Sequence, residues 1–256
     1  MNLLALAIIP GIILLIYIYK KDKREKEPLG LLLICLLGGL LSCIPAIIFE
    51  AIFSSNTHYS YLDLMLECIF VIGLAEEGSK FLFLSMFTWK NDNFDYYFDG
   101  IVYSVYVSLG FAIPENILYV FQHGAAVGIF RAFSAVPGHM AFAVIMGYFY
   151  SKMKAAKVTG NGSVFGNFVC AILVPAVVHG LYDTFAFGGM LAAFFIFVIV
   201  MYIFIIKLIN KSSRNDKPFV QMRFLASEHP GSWYCTSCGK LNEKNFCISC
   251  GSPKSI

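Results

Sequence analysis

Charged residues are scarce in this chain: Asp, Glu, Lys and Arg make up only 14% of its 256 residues, whereas 58% are hydrophobic. Soluble domains carry roughly 25% charged residues, so a single water-soluble core is excluded. The few charges cluster between long apolar runs, which is typical of a polytopic membrane protein. The net charge is only +3, and the basic residues fall in short loops. Nucleic acid is therefore not an expected partner of the main body.

Seven apolar runs are long enough to cross the hydrocarbon core, which takes roughly 20 helical residues. We therefore predict an all-α polytopic membrane protein with about seven transmembrane helices. The runs lie at 2–19, 29–53, 63–88, 99–122, 130–151, 164–186 and 188–206.

The loops between these runs indicate an orientation in the cell membrane. No Lys or Arg precedes the first run and no small-residue cleavage site follows it, so we expect a retained anchor and not a cleaved signal peptide. Loops that contain Lys and Arg then alternate with loops that contain neither. The number of basic residues is five at 20–28, one at 88–98, three at 152–163 and five at 207–223, and it is zero at 54–62, 123–129 and 187–190. Because basic loops stay in the cytoplasm, we expect the N-terminus outside and the C-terminus inside.

Four cysteines near the C-terminus form two Cys-x2-Cys pairs, Cys235 with Cys238 and Cys247 with Cys250, and a glycine follows each pair. Two such pairs can supply four thiolates in a tetrahedral array around Zn²⁺, while the glycine permits a tight turn that points backbone N–H groups at sulfur. Two disulfides would require an exported tail, which conflicts with the basic linker before it. The pattern therefore predicts a structural zinc site.

The chain thus divides into three parts: a transmembrane domain at 1–206, a basic cytoplasmic linker at 207–231 and a zinc ribbon at 232–256. A closed four-thiolate site leaves no open coordination position for catalysis. We therefore expect the ribbon to dock a cytoplasmic protein or to regulate the membrane domain.

Charged side chains at bilayer depth are costly, so each one is a candidate functional residue. The third run carries Glu76, Glu77 and Lys80 near its middle. Lys80 lies at i+4 from Glu76 and at i+3 from Glu77, so it can pair with either carboxylate. Since adjacent residues lie about 100° apart on a helix, one glutamate can face a cavity while Lys80 holds the other.

Three further runs bring an acid or an imidazole to membrane depth next to a proline. They contain Pro114-Glu115-Asn116, Pro137-Gly138-His139 and Pro175-x3-His179-x3-Asp183. Proline kinks a helix and frees a carbonyl, which is tolerated where the helix lines a wet cavity. His179 and Asp183 are one turn apart, so the carboxylate can orient the imidazole.

These acids and imidazoles lie at similar depths in four runs, which favours one shared site. Convergent carboxylates and two histidines suit a divalent metal ion that activates water, or a metal-free arrangement in which a glutamate deprotonates water. A structural ion pair at Glu76, Glu77 and Lys80, with interhelical hydrogen bonds at the two histidines, is the alternative.

The ordered motifs resemble those of the PrsW family of intramembrane proteases over roughly residues 1–210. That family belongs to a wider group with the CAAX-prenyl proteases. The resemblance implies endoproteolysis of membrane-anchored substrates such as anti-sigma factors, and the family's naming as metalloproteases favours a divalent ion such as Zn²⁺. It matches Glu76 and Glu77 to the paired glutamates, Glu115 to the second-motif acid, and His139 and His179 to the two histidines.

Our hypothesis assigns a role to each candidate. The metal ion or the attacking water is held by His139, His179 and Glu115. Glu76 is the general base, which Glu77 and Lys80 support electrostatically. Asp183 orients His179, and Asn116 donates a hydrogen bond to the developing oxyanion. The metal-dependent and glutamate-only versions both stay open, because no helix shows the His-Glu-x-x-His spacing of a secure zinc site. A transporter that uses the same charges as an ion or proton pathway is the rival function, followed by an inactive membrane scaffold.

Overall fold

The computed structural model describes residues 2–55, 60–219, 233–235, 241–243 and 245–253. Within them the elements are α1 (Leu3–Lys21), α2 (Leu29–Phe53), α3 (Tyr61–Glu67), the π-helix π1 (Cys68–Gly73), α4 (Leu74–Thr88), α5 (Asp99–His123), α6 (Ala125–Phe133), α7 (Ala135–Thr159), α8 (Val164–Phe187), α9 (Leu191–Arg214), β1 (Trp233–Tyr234) and β2 (Leu241–Asn242). The two strands pair antiparallel, with Trp233 opposite Asn242.

Six helical segments of the described chain are long and apolar enough to cross a membrane: α1, α2, α5, α6 with α7, α8 and α9. The seventh run, expected at 63–88, is a continuous helical stretch made of α3, π1 and α4, whose separate parts are too short to cross alone. The all-α, multi-pass membrane class expected from the apolar runs is confirmed.

Two helix boundaries differ from those expected from hydropathy. The run at 130–151 is divided between α6 and α7, because the helix breaks at Ser134 and restarts with Pro137 in its first turn, where proline's missing N–H is tolerated. His139 therefore lies in the second turn of α7 and not at the middle of a helix. At the other boundary, α9 continues to Arg214, so residues 207–214 of the expected linker are helical.

The central helix of the bundle is α5, which packs against α1, α2, α4, α6 and α7. Glycines bring α2 and α5 into backbone contact. A Cβ atom on Gly39 would lie 1.9 Å from the carbonyl oxygen of Val107, and one on Gly110 would lie 2.1 Å from that of Leu36. Any larger residue at either position would separate these helices.

A second pair of glycines joins π1 to α8. A Cβ atom on Gly73 would lie 2.5 Å from the carbonyl oxygen of Ala176, and one on Gly180 would lie 2.5 Å from the Cα of Ile69. Because π1 ends where α4 begins, this contact brings the middle of α8 beside the first turn of α4. π-helical segments are often found at functional sites. Here the segment sets the positions of the polar faces of α4 and α8.

The chain that follows α9 folds back onto the loop between α4 and α5. The backbone N–H of Tyr97 donates to the carbonyl of Lys217 at 3.1 Å, and that of Phe219 donates to the carbonyl of Asp95 at 2.7 Å. The Phe219 ring is 2% exposed. This part of the expected linker is therefore packed on the membrane domain.

Asp22, Glu27 and Asp216 are buried near this contact. Burial raises the pKa of Asp22 to about 6, although the Lys26 ammonium opposes the effect. Burial likewise raises the pKa of Asp216 to about 6 and that of Glu27 to about 7, even though Tyr103 donates a hydrogen bond to Glu27. The backbone N–H of Glu27 also opposes the rise in the pKa of Asp22.

Replacing Asp22 should change the pH dependence of stability. Its pKa is raised in the folded state, so the folded protein binds a proton more tightly than the unfolded chain, and stability falls as pH rises from about 4 to about 7. We expect Asp22→Asn to raise the midpoint of thermal unfolding in detergent by a few degrees at pH 8, with a gain that shrinks steadily toward pH 4. The exposed Asp92→Asn is the control, and an equal gain at every pH would contradict the prediction.

Candidate active site

Lys80 lies at the centre of a buried polar cluster. Its ammonium donates to Glu76 Oε2 at 2.9 Å, to Glu77 Oε1 at 2.8 Å and to His139 Nδ1 at 3.2 Å. The side chain is fully buried, and its nitrogen lies 4.1 Å from the ring centroid of Phe111. The helical spacing predicted that Lys80 could pair with either glutamate; in the structure it holds both.

The tautomer of His139 follows from its two partners. Because an ammonium can only donate, Nδ1 of His139 accepts from Lys80, and Nε2 carries the proton that it donates to Glu115 Oε2 at 2.8 Å. The imidazole therefore links α4 to α5 through α7.

His179 faces His139 across the cluster, with ring centroids 5.3 Å apart. Its Nδ1 lies 3.0 Å from Glu77 Oε1, and its Nε2 lies 3.4 Å from Asp183 Oδ2. Phe142 stacks on the imidazole at 4.5 Å. The ring is therefore held by a carboxylate on each side and an aromatic face, and the i+4 spacing from Asp183 produces the expected proximity.

Arg131 is a member of this site that lies outside the sequence motifs. Its guanidinium forms an ion pair with Glu115 Oε1 at 3.0 Å and lies 3.9 Å from the ring centroid of Tyr119. The sequence does distinguish this residue, because Arg131 is the one charged residue in the apolar run 130–151.

Asn116 does not face the other candidates. Its Nδ2 donates to the carbonyl of Ala7 at 2.9 Å, and its Oδ1 accepts from Arg131 Nε at 2.9 Å. The side chain is fully buried. Both ends of the amide thus join α5 to α1 and α6, so the structure does not place it to meet an oxyanion.

A cavity of about 410 Å³ opens beside the cluster. Its polar lining consists of Glu50, Glu76, Glu115, Tyr119, Arg131, His139, His179, Tyr182 and Asp183. Glu77 and Lys80 lie behind this wall. The apolar lining includes Ile47, Phe111, Phe130, Phe142 and Phe187. The cavity can hold water and a short stretch of extended peptide.

Three of the lining residues form a compact set of metal ligands. Glu76, His139 and His179 each offer one ligand atom, and these atoms lie within 4.8 Å of one another. Two imidazoles and a carboxylate are a donor set found at catalytic zinc sites. The sequence hypothesis placed Glu115 in this set; in the structure Glu115 pairs instead with Arg131 and His139.

The charge of the cluster also suits a divalent cation. Four carboxylates meet two permanent cations, an ammonium and a guanidinium, which leaves two negative charges; the groups are Glu76, Glu77, Glu115, Asp183, Lys80 and Arg131. In addition, Oε2 of Glu77 is buried without a hydrogen-bond partner among the described residues. Donor types and charge therefore both fit such an ion.

A second ligand group lies near the C-terminus. The Sγ atoms of Cys235, Cys247 and Cys250 lie within 4.8 Å of one another, whereas Cys238 lies outside the described residues. Gly251 has a φ of +72°, and the Ser249 N–H lies 3.4 Å from Cys247 Sγ. The tight turn expected after the second cysteine pair is confirmed, and a cysteine cluster of the zinc-ribbon type is present.

Fold and site together define a class: a multi-pass membrane protein with a buried carboxylate and imidazole centre suited to hydrolysis. The sequence pattern of the PrsW family of intramembrane metalloproteases matches residues 27–208. The chain belongs to this family. It is therefore an intramembrane protease with a protein substrate, and the transporter alternative is set aside.

Individual relatives agree with this assignment. Protease PrsW of Clostridioides difficile (strain 630) is 37% identical over 189 residues, which cover 72% of this chain and 78% of the relative. Protease PrsW of Geobacillus kaustophilus (strain HTA426) is 36% identical over 182 residues, or 71% and 78% of the two chains. That of Bacillus subtilis (strain 168) is 32% identical over 183 residues, or 71% and 81%. No solved structure matches the chain.

Removing the Lys80 ammonium should destabilise the protein strongly. Lys80→Met leaves Glu76 and Glu77 buried without their shared cation, a change that costs about 3 to 5 kcal/mol in other proteins and roughly 10 °C in the unfolding midpoint. Thermal unfolding in detergent measures this. Adding Glu77→Gln should recover part of the loss, because one buried charge is removed; an unchanged midpoint in Lys80→Met would contradict the central role of the ammonium.

Proposed function

We propose that this chain is an intramembrane endopeptidase that cleaves a single-pass, membrane-anchored protein at the cavity lined by α2, α4, α5, α6, α7 and α8. The observation that carries the proposal is the compact meeting of Glu76, His139 and His179 at the wall of a buried cavity. A membrane-anchored anti-sigma factor is the substrate class that the family resemblance implies.

The proposed orientation has the N-terminus outside and the C-terminus in the cytoplasm. It is supported by the basic residues that end two helices, Lys20 and Lys21 in α1 and Lys211 and Arg214 in α9. Basic residues collect on the cytoplasmic side of membrane proteins. In this orientation Glu115 and His179 lie toward the outer half of the bilayer.

Glu76, His139 and His179 would hold a divalent cation, for which Zn²⁺ is our candidate. To do so, His139 would exchange its hydrogen bond with Lys80 or Glu115 for the ion, because both of its ring nitrogens are engaged in the structure. When bound, such an ion polarises the scissile carbonyl and lowers the pKa of water. Lys80 fixes the position of Glu76, because it donates to Oε2 of that residue. Glu77 holds His179 from one side, with Asp183 close to its other ring nitrogen.

Because Glu76 belongs to the ligand set, we assign the general base to Glu115. Its side chain is 23% exposed to the cavity, against 9% for Glu76, and Arg131 and His139 hold its two oxygens in place. The water oxygen bonds to the scissile carbonyl carbon while the water proton passes to Glu115. That proton then moves to the amide nitrogen as the C–N bond breaks, which yields an acid and an amine.

The two glutamates should be separable by experiment. Glu76→Gln and Glu115→Gln should each reduce cleavage of a co-expressed single-pass substrate by about 100-fold or more. Only Glu76→Gln should also lose metal: the purified wild type and Glu115→Gln should hold two ions per chain, one in the tail, and Glu76→Gln should hold one. Metal content is measured by mass spectrometry of the purified proteins.

Glu67→Gln is the matched control, since Glu67 accepts a hydrogen bond from Ser55 and does not line the cavity. Its cleavage rate and metal content should equal those of the wild type. Full activity in Glu115→Gln would contradict its role as general base, and two bound ions in Glu76→Gln would contradict its role as metal ligand.

In the tail, we propose that Cys235, Cys238, Cys247 and Cys250 hold a structural zinc ion, and that the folded ribbon docks a cytoplasmic protein. The three described thiols already lie close together. A module this small cannot fold on an apolar core alone, so it should depend on the metal.

Cys247→Ser should therefore remove one metal ion and unfold the tail while the membrane domain keeps its activity. Limited proteolysis should cut the variant's tail faster than that of the wild type, and a generic substrate should still be cleaved. Cys170→Ser, in the second turn of the apolar α8, should leave the metal content unchanged. Complete loss of cleavage in Cys247→Ser would mean that the tail belongs to the catalytic unit.

A further inference from the structure

Glu50 is a carboxylate in the cavity wall that the proposed chemistry does not use. It lies in the last turn of α2 and lines the same cavity as Glu76 and Glu115. Among the residues that the structure describes, none makes a hydrogen bond or an ion pair with its side chain.

The other carboxylates of the cavity all have charged or imidazole partners. Glu76 pairs with Lys80, Glu115 pairs with Arg131, and Asp183 lies beside His179. A carboxylate in the membrane without a partner is costly in its charged form, so a cation that arrives with the substrate would stabilise it.

The charge count points to the kind of partner. A divalent ion would balance the two excess negative charges of the Lys80 and Arg131 clusters. Glu50 would then still lack a cationic partner. A basic group on the substrate would supply one.

The position of Glu50 indicates which part of the substrate it meets. Glu50 lies nine residues beyond the middle of α2 (Leu29–Phe53), or about 13 Å toward the end opposite the basic loop at 20–28. A cavity of about 410 Å³ is about 9 Å across if it is treated as a sphere. Since an extended peptide advances about 3.3 Å per residue, Glu50 meets a residue two or three positions from the bond being cut.

We propose that Glu50 selects substrates by forming an ion pair with a Lys or Arg side chain, two or three residues from the scissile bond on the outer side. The inference rests on the proposed protease function. Ile47 and Phe187 line the cavity with Glu50, and the aliphatic stem of a basic side chain packs on such apolar surfaces while its head reaches the carboxylate.

Such a contact would discriminate well among membrane proteins. Basic residues concentrate on the cytoplasmic flank of membrane spans, so a Lys or Arg near the outer end of a span is uncommon. A carboxylate at this depth therefore distinguishes a few substrates from the many spans that share the same apolar composition.

A charge exchange tests the proposal in full-length protein. The enzyme is co-expressed with single-pass reporters that carry Lys, Gln or Glu at successive positions on the outer side of the cut, and product is quantified. The wild type should cleave the best Lys reporter at least about tenfold faster than its Gln counterpart, and the Glu reporter more slowly still. Glu50→Gln should reduce this preference to less than about twofold, and Glu50→Lys should favour the Glu reporter.

Glu67→Gln, which removes a carboxylate outside the cavity, should keep the wild-type preference. Equal cleavage of Lys, Gln and Glu reporters by the wild type would overturn the inference and leave the protease function standing. This comparison uses only the wild type, so it tests the inference even if the Glu50 variants fail to fold. An unchanged preference in a folded Glu50→Lys variant would overturn it too. If the wild type cleaves no reporter, the proposed function fails and this inference falls with it.

Discussion

The buried ammonium of Lys80 is the constraint on which the site depends. A full charge inside the bilayer is tolerated only when oppositely charged and hydrogen-bonding groups surround it. Lys80 therefore requires Glu76 and Glu77 from its own helix and His139 from α7 to remain within hydrogen-bond distance. The same contacts that neutralise the ammonium hold two candidate metal ligands in fixed positions beside the cavity.

Close packing of the helix backbones makes this arrangement geometrically feasible. Lipid provides little hydrophobic force between helices, so small residues that allow intimate contact carry much of the association. Gly73 and Gly180 let π1 and α8 meet at backbone distance, which brings His179 within reach of Glu77. The rigid frame and the polar network support each other, because His139 and His179 would lose their partners on α4 and α5 if the helices moved apart.

Several features could be predicted from the sequence because they depend on local composition. Apolar runs indicated the membrane spans, since each must match the thickness of the bilayer. Ionisable residues within those runs were candidates for function, such as Glu115 and His139, because an ionisable side chain in hydrocarbon is energetically costly. The spacing of the C-terminal cysteines likewise predicted a compact thiol cluster, and the sequence order of the motifs indicated the family.

What the sequence by itself determined was thus which residues are costly in a membrane and which are close along one helix. Only the tertiary structure decided that Lys80 holds both glutamates, that Glu76 joins the two histidines, that Arg131 enters the site and that Asn116 turns away from it. The reason is physical: the rotation and depth of each helix follow from contacts between residues far apart in the chain, and no local pattern encodes them.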